Sequence, residues 1–170
     1  MSGIWTERDL LNQLGDARRI TIIGPPGSGK STLAHQLGQR LDLPVHHLDR
    51  LFWWPGWVMA TRHEYIAEVE RLIAEARWII DGNYTSTLPQ RLERADAVIF
   101  LQPNRWKSLY RVVLRTLKHH GQTRPDMPEN CPERFSWEFL RYVWQWSEDE
   151  MPETVAHLQG FVGRLIALDT

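Results

Sequence analysis

Apolar positions along the chain fall into two alternating kinds of stretch. Short dense runs read as buried strands: Ile20 to Ile23, Leu43 to Asp49 (ending in an acid), Arg77 to Ile80, Ala97 to Leu101 and Phe161 to Leu168. Between them the apolar residues recur at three- and four-residue steps. Leu33, Leu37 and Leu41 share one helical face, and Ile66, Val69, Ile73 and Ala76 share another. A short helix is expected over Leu88 to Arg94. A longer one runs from Pro103 to about His119, with Trp106, Leu109, Val113 and Leu117 toward the core. Residues 135–147 form another, with Trp137, Phe139, Leu140, Val143 and Trp144 mostly buried. Thr6-Glu7-Arg8-Asp9 and Thr61-Arg62-His63-Glu64 both read as capping boxes that start helices, the first ending near Gly15. Strands alternating with helices predict a three-layer α/β/α domain with about five parallel strands, spanning residues 1–170.

The junction after the first strand carries the strongest chemical signal. Gly24-Pro25-Pro26-Gly27-Ser28-Gly29-Lys30-Ser31 fits G-x-x-x-x-G-K-[ST] at every fixed position. Gly24, Gly27 and Gly29 let the backbone curl so that successive N–H groups, those of Ser28 and Thr32 included, face phosphate oxygens. Lys30 is expected to reach the β- and γ-phosphates, and Ser31 to place its hydroxyl on Mg²⁺. The pattern therefore predicts a site for ATP with Mg²⁺, backed by the positive end of the helix that starts near Lys30.

Composition narrows the setting. The chain has 170 residues, 42% hydrophobic and 24% charged, with a formal net charge of −1, as expected for one globular domain with no global pull toward nucleic acid. The single Cys131 has no internal disulfide partner, which suits a reducing cytoplasm. No apolar run approaches the roughly 20 residues that a membrane span needs, and the N-terminus has no signal-peptide pattern. Nine tryptophans are many for this length, and they leave room for a face between copies.

Two acids fall at expected carboxyl ends of strands, where ligands of open parallel sheets sit. Asp49 either orients Mg²⁺ through water, accepts a proton from an attacking hydroxyl, or caps a helix. Asp81, leading into Gly82-Asn83-Tyr84, belongs to the magnesium shell or to simple turn chemistry; the loop upstream favours the metal. His46 and His47 alternate across a strand and so form no metal pair. Phe52, Trp53, Trp54 and Trp57 crowd a loop marked by Pro55-Gly56. They either wall an acceptor pocket or pack as a hydrophobic hinge. Residues 51–76 thus form the acceptor side, with Trp53, Trp57, Asn83 and Tyr84 as candidate contacts.

From Pro103 to Trp146 eight Lys and Arg stand against four acids. Lys107, Arg111, Arg115 and Lys118 lie on one helical face. Arginine offers paired donors to phosphoryl oxygens, which makes Arg111, Arg115 and Arg124 candidates for charge neutralisation during transfer. Residues 119–134, with Pro125, Pro128 and Pro132, read as a lid-like loop carrying Arg124 and Arg134.

Taken together, GPPGSGKSTLA, HHLDRLFWWPGW, WIIDGNY, RLERAD and GQTRPDMPENCPERFSWEFLRYVW resemble the nucleotide-kinase-like branch of phosphate-loop proteins, which holds adenylate, shikimate and gluconate kinases. More closely, they resemble the bacterial family described as DNA topology modulation protein, or FlaR-like protein. The resemblance implies a kinase-like fold with ATP and Mg²⁺ and leaves the substrate open. Where adenylate kinases carry Asp-Gly-Phe-Pro-Arg, this chain has Asp81-Gly82-Asn83-Tyr84-Thr85, so the arginine that grips a monophosphate is missing. No Asn-Lys-x-Asp guanine signature occurs. The expected activity is phosphoryl transfer from ATP to a small-molecule acceptor. The alternative is an ATP-binding regulator whose basic segment grips DNA or another partner, although a surplus of four positive charges supports only a few phosphate contacts.

Overall fold

The computed structural model describes residues 6–170, so the N-terminal signal-pattern expectation falls partly on residues outside those described. Five strands form one parallel sheet: β1 (Arg19–Ile23), β2 (Val45–His47), β5 (Trp78–Asp81), β6 (Ala97–Leu101) and β7 (Arg164–Leu168), ordered β2-β5-β1-β6-β7. A two-stranded hairpin, β3 (Trp53–Trp54) with β4 (Val58–Met59), stands apart from it. The helices are α1 (Glu7–Leu14), α2 (Lys30–Leu41), α3 (Leu48–Phe52), α4 (Arg62–Ile73), α5 (Leu88–Arg94), α6 (Arg105–His119), α7 (Trp137–Asp149) and α8 (Met151–Leu158). The three-layer α/β/α expectation therefore holds.

Every residue of β5 and β6 is buried, which explains why these strands read as continuous apolar runs. Alternate residues still serve different faces. Ile20, Ile22, Ile79, Ile99 and Leu101 pack with Leu10 and Leu14 of α1 and Leu33, Ala34 and Leu37 of α2. On the opposite face, Trp78 and Ile80 meet Tyr65, Val69 and Leu72 of α4, while Val98 and Phe100 meet Leu88, Trp146 and Leu158. Both capping boxes form, Thr6 with Asp9 and Thr61 with Glu64.

Asp96 clamps the edge of the sheet where the strands start. Its carboxylate accepts the Arg18 and Arg19 amides at 3.0 and 2.9 Å and the Arg19 guanidinium at 2.7 Å. At the opposite end, the chain leaves β1 through α2 toward β2 on one side, while β6 lies on the other. Ligands of such sheets bind where neighbouring connections part in this way, and here that point is the loop after β1.

Several boundaries differ from the sequence reading. β2 ends at His47, and Leu48–Phe52 coil into α3, so Asp49 sits in a helical first turn and not at a strand end. The aromatic stretch is no open loop: Trp53 pairs with Met59 and Trp54 with Val58 around Pro55-Gly56-Trp57, with Gly56 and Trp57 both at positive φ. Ala76 lies beyond the end of α4. Residues 151–158 form a helix that the apolar pattern did not announce, and the last strand starts at Arg164, later than expected.

The core face of α6 is also turned. Ser108, Val112 and Thr116 are buried, whereas Trp106 and Leu117 are 66% and 69% exposed. The cause is a close approach of backbones. A Cβ at Gly27 would meet the Ser108 carbonyl oxygen at 2.5 Å and Val112 Cγ2 at 3.0 Å, so the glycine-rich loop after β1 rests on the small-residue side of α6. In α7, Val143 and Trp146 are buried while Trp137 is 76% exposed, so that helix is less of a core element than its aromatic content suggested.

Candidate active site

The loop after β1 is built as a cradle. Gly29 caps α2 at φ 96° in the left-handed region and offers no side chain to the first-turn amides of Lys30, Ser31 and Thr32. A Cβ at Gly29 would meet nothing within 4 Å, so the space above these amides is open. Ser28 is buried with its hydroxyl unpartnered. The Lys30 ammonium bridges the loop by donating to the Pro25 carbonyl at 3.0 Å. Burial pushes Lys30 below its ordinary pKa, against the pull of Asp81 and Asp49. A helix terminus with no side-chain cap, an orphaned hydroxyl and a desolvated ammonium fit a polyphosphate.

The two acids take different partners. Asp81 closes β5 beside His47 in the sheet register. Its Oδ2 accepts the Ser31 hydroxyl at 2.7 Å, and its Oδ1 meets His47 Nδ1 at 2.5 Å. Burial works to lower the His47 pKa, but the Asp81 hydrogen bond and the charges of Asp81, Asp126 and Asp49 outweigh it, so His47 lies above its ordinary value. Ser31 and Asp81 are thus in contact, an arrangement that suits a hydrated Mg²⁺ held partly by phosphate. Among the described residues no group of three or more His, Cys, Asp and Glu stands ready to hold a metal by itself.

Asp49 is held from the other side of the site, where the Tyr84 hydroxyl donates to its Oδ1 at 2.7 Å. Burial raises the Asp49 pKa, and this hydrogen bond moderates the rise. Burial and the facing Asp49 charge push the Tyr84 phenol far up, so it stays a donor. Asn83 turns back to the cradle, its Oδ1 accepting the Gly24 amide at 2.9 Å. Both positions depend on Arg91, whose guanidinium is fully buried and donates to the carbonyls of Gly82, Asn83 and Tyr84 at 3.1, 2.5 and 3.1 Å. Desolvation lowers its pKa to about 10.

The three candidate arginines do not behave alike. Arg111 reaches the Ser28 carbonyl at 3.5 Å, beside the cradle. Arg115 and Arg124 instead converge on one oxygen of Glu133, at 2.8 and 2.9 Å, and Arg124 also pairs with Asp126 at 2.7 Å. The residues that sequence reasoning missed are His47, Arg91, Asp126 and Glu133. His46 and His47 read as no metal pair, which hides the contact of His47 with Asp81. Arg91 lies in RLERAD, and Asp126 and Glu133 in the proline-rich stretch after α6, but residue type alone gives none of them a role.

The aromatic hairpin packs mainly on its own neighbours and on residues 130–134. Trp57 donates through its backbone amide to Cys131 Sγ at 3.4 Å and through Nε1 to the Pro132 carbonyl at 3.2 Å. Arg134 lies over the Trp57 ring at 5.6 Å. Trp53 meets Trp57 and Phe52 edge-on at 5.3 and 5.2 Å. Of these rings, Phe52 meets a helix, packing edge-on against Tyr65 of α4 at 5.6 Å.

No family model matches the chain. It is 54% identical over 37 residues to a shikimate kinase of Blochmanniella floridana, a stretch that makes up 22% of this chain and 20% of that protein. The match thus spans about a fifth of the curated relative's length. Over nearly the whole chain the likeness is to solved structures. A gluconokinase from Sinorhizobium meliloti 1021 aligns at TM-score 0.55 and 20% identity over 89% of this chain and 82% of its own. A shikimate kinase from Acinetobacter baumannii in complex with shikimate aligns at TM-score 0.58 and 14% identity, covering 94% and 87%. These proteins are small-molecule kinases by name, and none of the names speaks for the DNA-topology designation. The chain has the fold that phosphate-loop kinases of the shikimate and gluconate type share.

Proposed function

We propose that this protein transfers the γ-phosphoryl group of Mg·ATP to a hydroxyl of a small molecule. The observation that carries the reading is the cradle itself: an open helix terminus at Gly29, the desolvated Lys30, and the Ser31–Asp81 contact beside it. The fold likeness to gluconate and shikimate kinases supports it.

The amides from Gly27 to Thr32 and the Lys30 ammonium hold the triphosphate in this reading. Ser31 and Asp81 hold Mg²⁺, which when bound draws charge from the phosphoryl oxygens. His47 orients Asp81. Asp49 positions the acceptor hydroxyl and takes its proton, helped by a pKa raised toward that task. Arg111, Arg115 and Arg124 meet negative charge as it develops on the transferring group. Trp53, Trp57, Asn83 and Tyr84 bound the acceptor side, and residues 119–134 act as the lid.

The regulatory alternative, in which ATP occupancy switches a grip on DNA, has less behind it. Arg115 and Arg124, which duplex phosphates would need, have side chains only 25% and 14% exposed, so they do not stand out on a face that a duplex could lie along. The test is ADP release with Mg·ATP across a panel of nucleosides, nucleotides, sugars and other small alcohols. An acceptor-dependent rate that Lys30→Met abolishes, with the fold intact by circular dichroism, supports the reading. A rate indifferent to Lys30→Met overturns it.

A further inference from the structure

Arg115 belongs to α6 and Arg124 to the loop at residues 120–134, yet both guanidinium groups are drawn to Oε1 of Glu133, whose side chain is 8% exposed. Two cations brought to one oxygen repel each other, and only a counter-charge between them keeps them together. The carboxylate is fixed by its backbone, because the loop closes on it from both sides. The Gly121 amide donates to the Glu133 carbonyl at 2.9 Å, and the Glu133 amide donates to the Gln122 carbonyl at 2.9 Å.

The contacts run through Nε of each arginine and are ion pairs, not aligned hydrogen bonds, so Glu133 holds the two guanidinium groups in place by its charge. They also leave donors over. Among the described residues, neither terminal nitrogen of Arg115 makes a hydrogen bond, its guanidinium lying over the Phe139 ring at 5.8 Å, and Arg124 engages only Nη1, with Asp126. Unused, partly buried guanidinium N–H groups beside a phosphate cradle suit phosphoryl oxygens. α6 brings the cluster to the cradle: Val112, three residues before Arg115, lies 3.0 Å from where a Gly27 Cβ would stand, and Arg111 reaches the Ser28 carbonyl at 3.5 Å.

We propose that Glu133 is a positioning residue, the counter-charge that holds Arg115 and Arg124 together with their terminal N–H groups directed to the transferring phosphoryl group. This rests on the phosphoryl-transfer reading of the same site. Glu133 touches neither substrate nor metal and acts through the two arginines.

Glu133→Gln keeps shape and removes charge. If Glu133 positions the arginines, this variant lowers kcat roughly 10- to 100-fold and moves KM for ATP less than about threefold. The cradle amides and Lys30 still bind the ground state, and what is lost acts as charge develops. Glu133→Asp restores part of the rate. An unchanged kcat in folded Glu133→Gln, or a raised kcat as expected if Glu133 merely occupied a phosphate's place, overturns the inference. A second readout needs no turnover. The ¹⁵Nε–¹H resonances of Arg115 and Arg124 should both shift when an unhydrolysable ATP analogue is added with Mg²⁺ to the wild type. In Glu133→Gln they should already be broadened without nucleotide; resonances unmoved by the substitution count against the proposal. Lys30→Met run alongside separates the two claims, since its loss of turnover tests the kinase reading and leaves the arginine resonances free to report on Glu133.

Discussion

The Tyr84 hydroxyl and the Asp49 carboxylate meet at 2.7 Å across the site, one from the turn after β5 and the other from α3. Tyr84 reaches that position in the left-handed region, at φ 30°, where a bulky residue is strained unless its surroundings hold it. Arg91 holds it by gripping the turn's carbonyls. Removing the donor should leave Asp49 misplaced and still harder to ionise. Tyr84→Phe is expected to lower kcat/KM for the acceptor by roughly 10-fold or more, the worth of one hydrogen bond to a charged group, with KM for ATP little changed. Steady-state kinetics with each substrate varied in turn checks this.

Arg91 is a buried cation whose partners are carbonyls. Arg91→Met leaves the oxygens of Gly82, Asn83 and Tyr84 without a shared donor inside the protein. A loss of about 2–5 kcal/mol in unfolding free energy is expected, read from urea denaturation.

Ser31 and Asp81 act as a pair through one 2.7 Å hydrogen bond. Asp81→Asn weakens the orientation of the Ser31 oxygen and, on the proposed reading, removes a charge from the metal shell. The Mg²⁺ concentration for half-maximal turnover should rise about 10- to 100-fold, as for other losses of metal-orienting groups. A Mg²⁺ titration at saturating ATP measures it.

Asp96 sets an acid limit on stability. Burial works to raise its pKa, but hydrogen bonds from the Arg19 side chain and from the Arg18 and Arg19 amides outweigh that and hold it below the ordinary 3.8. The unfolded chain therefore binds this proton first. Its stabilising contribution is complete above the ordinary carboxylate range and is lost as pH falls through 3.8 toward the lower folded value. Asp96→Asn should lower the melting temperature at neutral pH and narrow its gap to the wild type as the solution is acidified, measured by thermal melts from pH 7 to 3.

The sheet and the cradle were legible because each is local. Dense apolar runs such as Ala97 to Leu101 mark strands buried on both faces, and Gly24 to Ser31 is a motif whose spacing is its mechanism. What escaped depends on pieces far apart in sequence. The turned face of α6 answers to Gly27, whose missing side chain lets the Ser108 carbonyl approach. Nothing in the spacing of Trp106 and Leu117 announces that contact. The fates of Arg115 and Arg124 were decided by Glu133, which periodicity cannot bring to them. The Trp53–Met59 pairing hid behind Pro55-Gly56, since a turn signal between apolar residues marks a hairpin as readily as a loop.

The most direct measurement follows the γ-phosphate itself. ATP labelled with ¹⁸O at the γ-position, incubated with protein, Mg²⁺ and the acceptor panel, is analysed by mass spectrometry. The account predicts a labelled phosphate ester of one acceptor class that disappears in Lys30→Met. Label found only in inorganic phosphate, or an ester formed equally well by Lys30→Met, would contradict it.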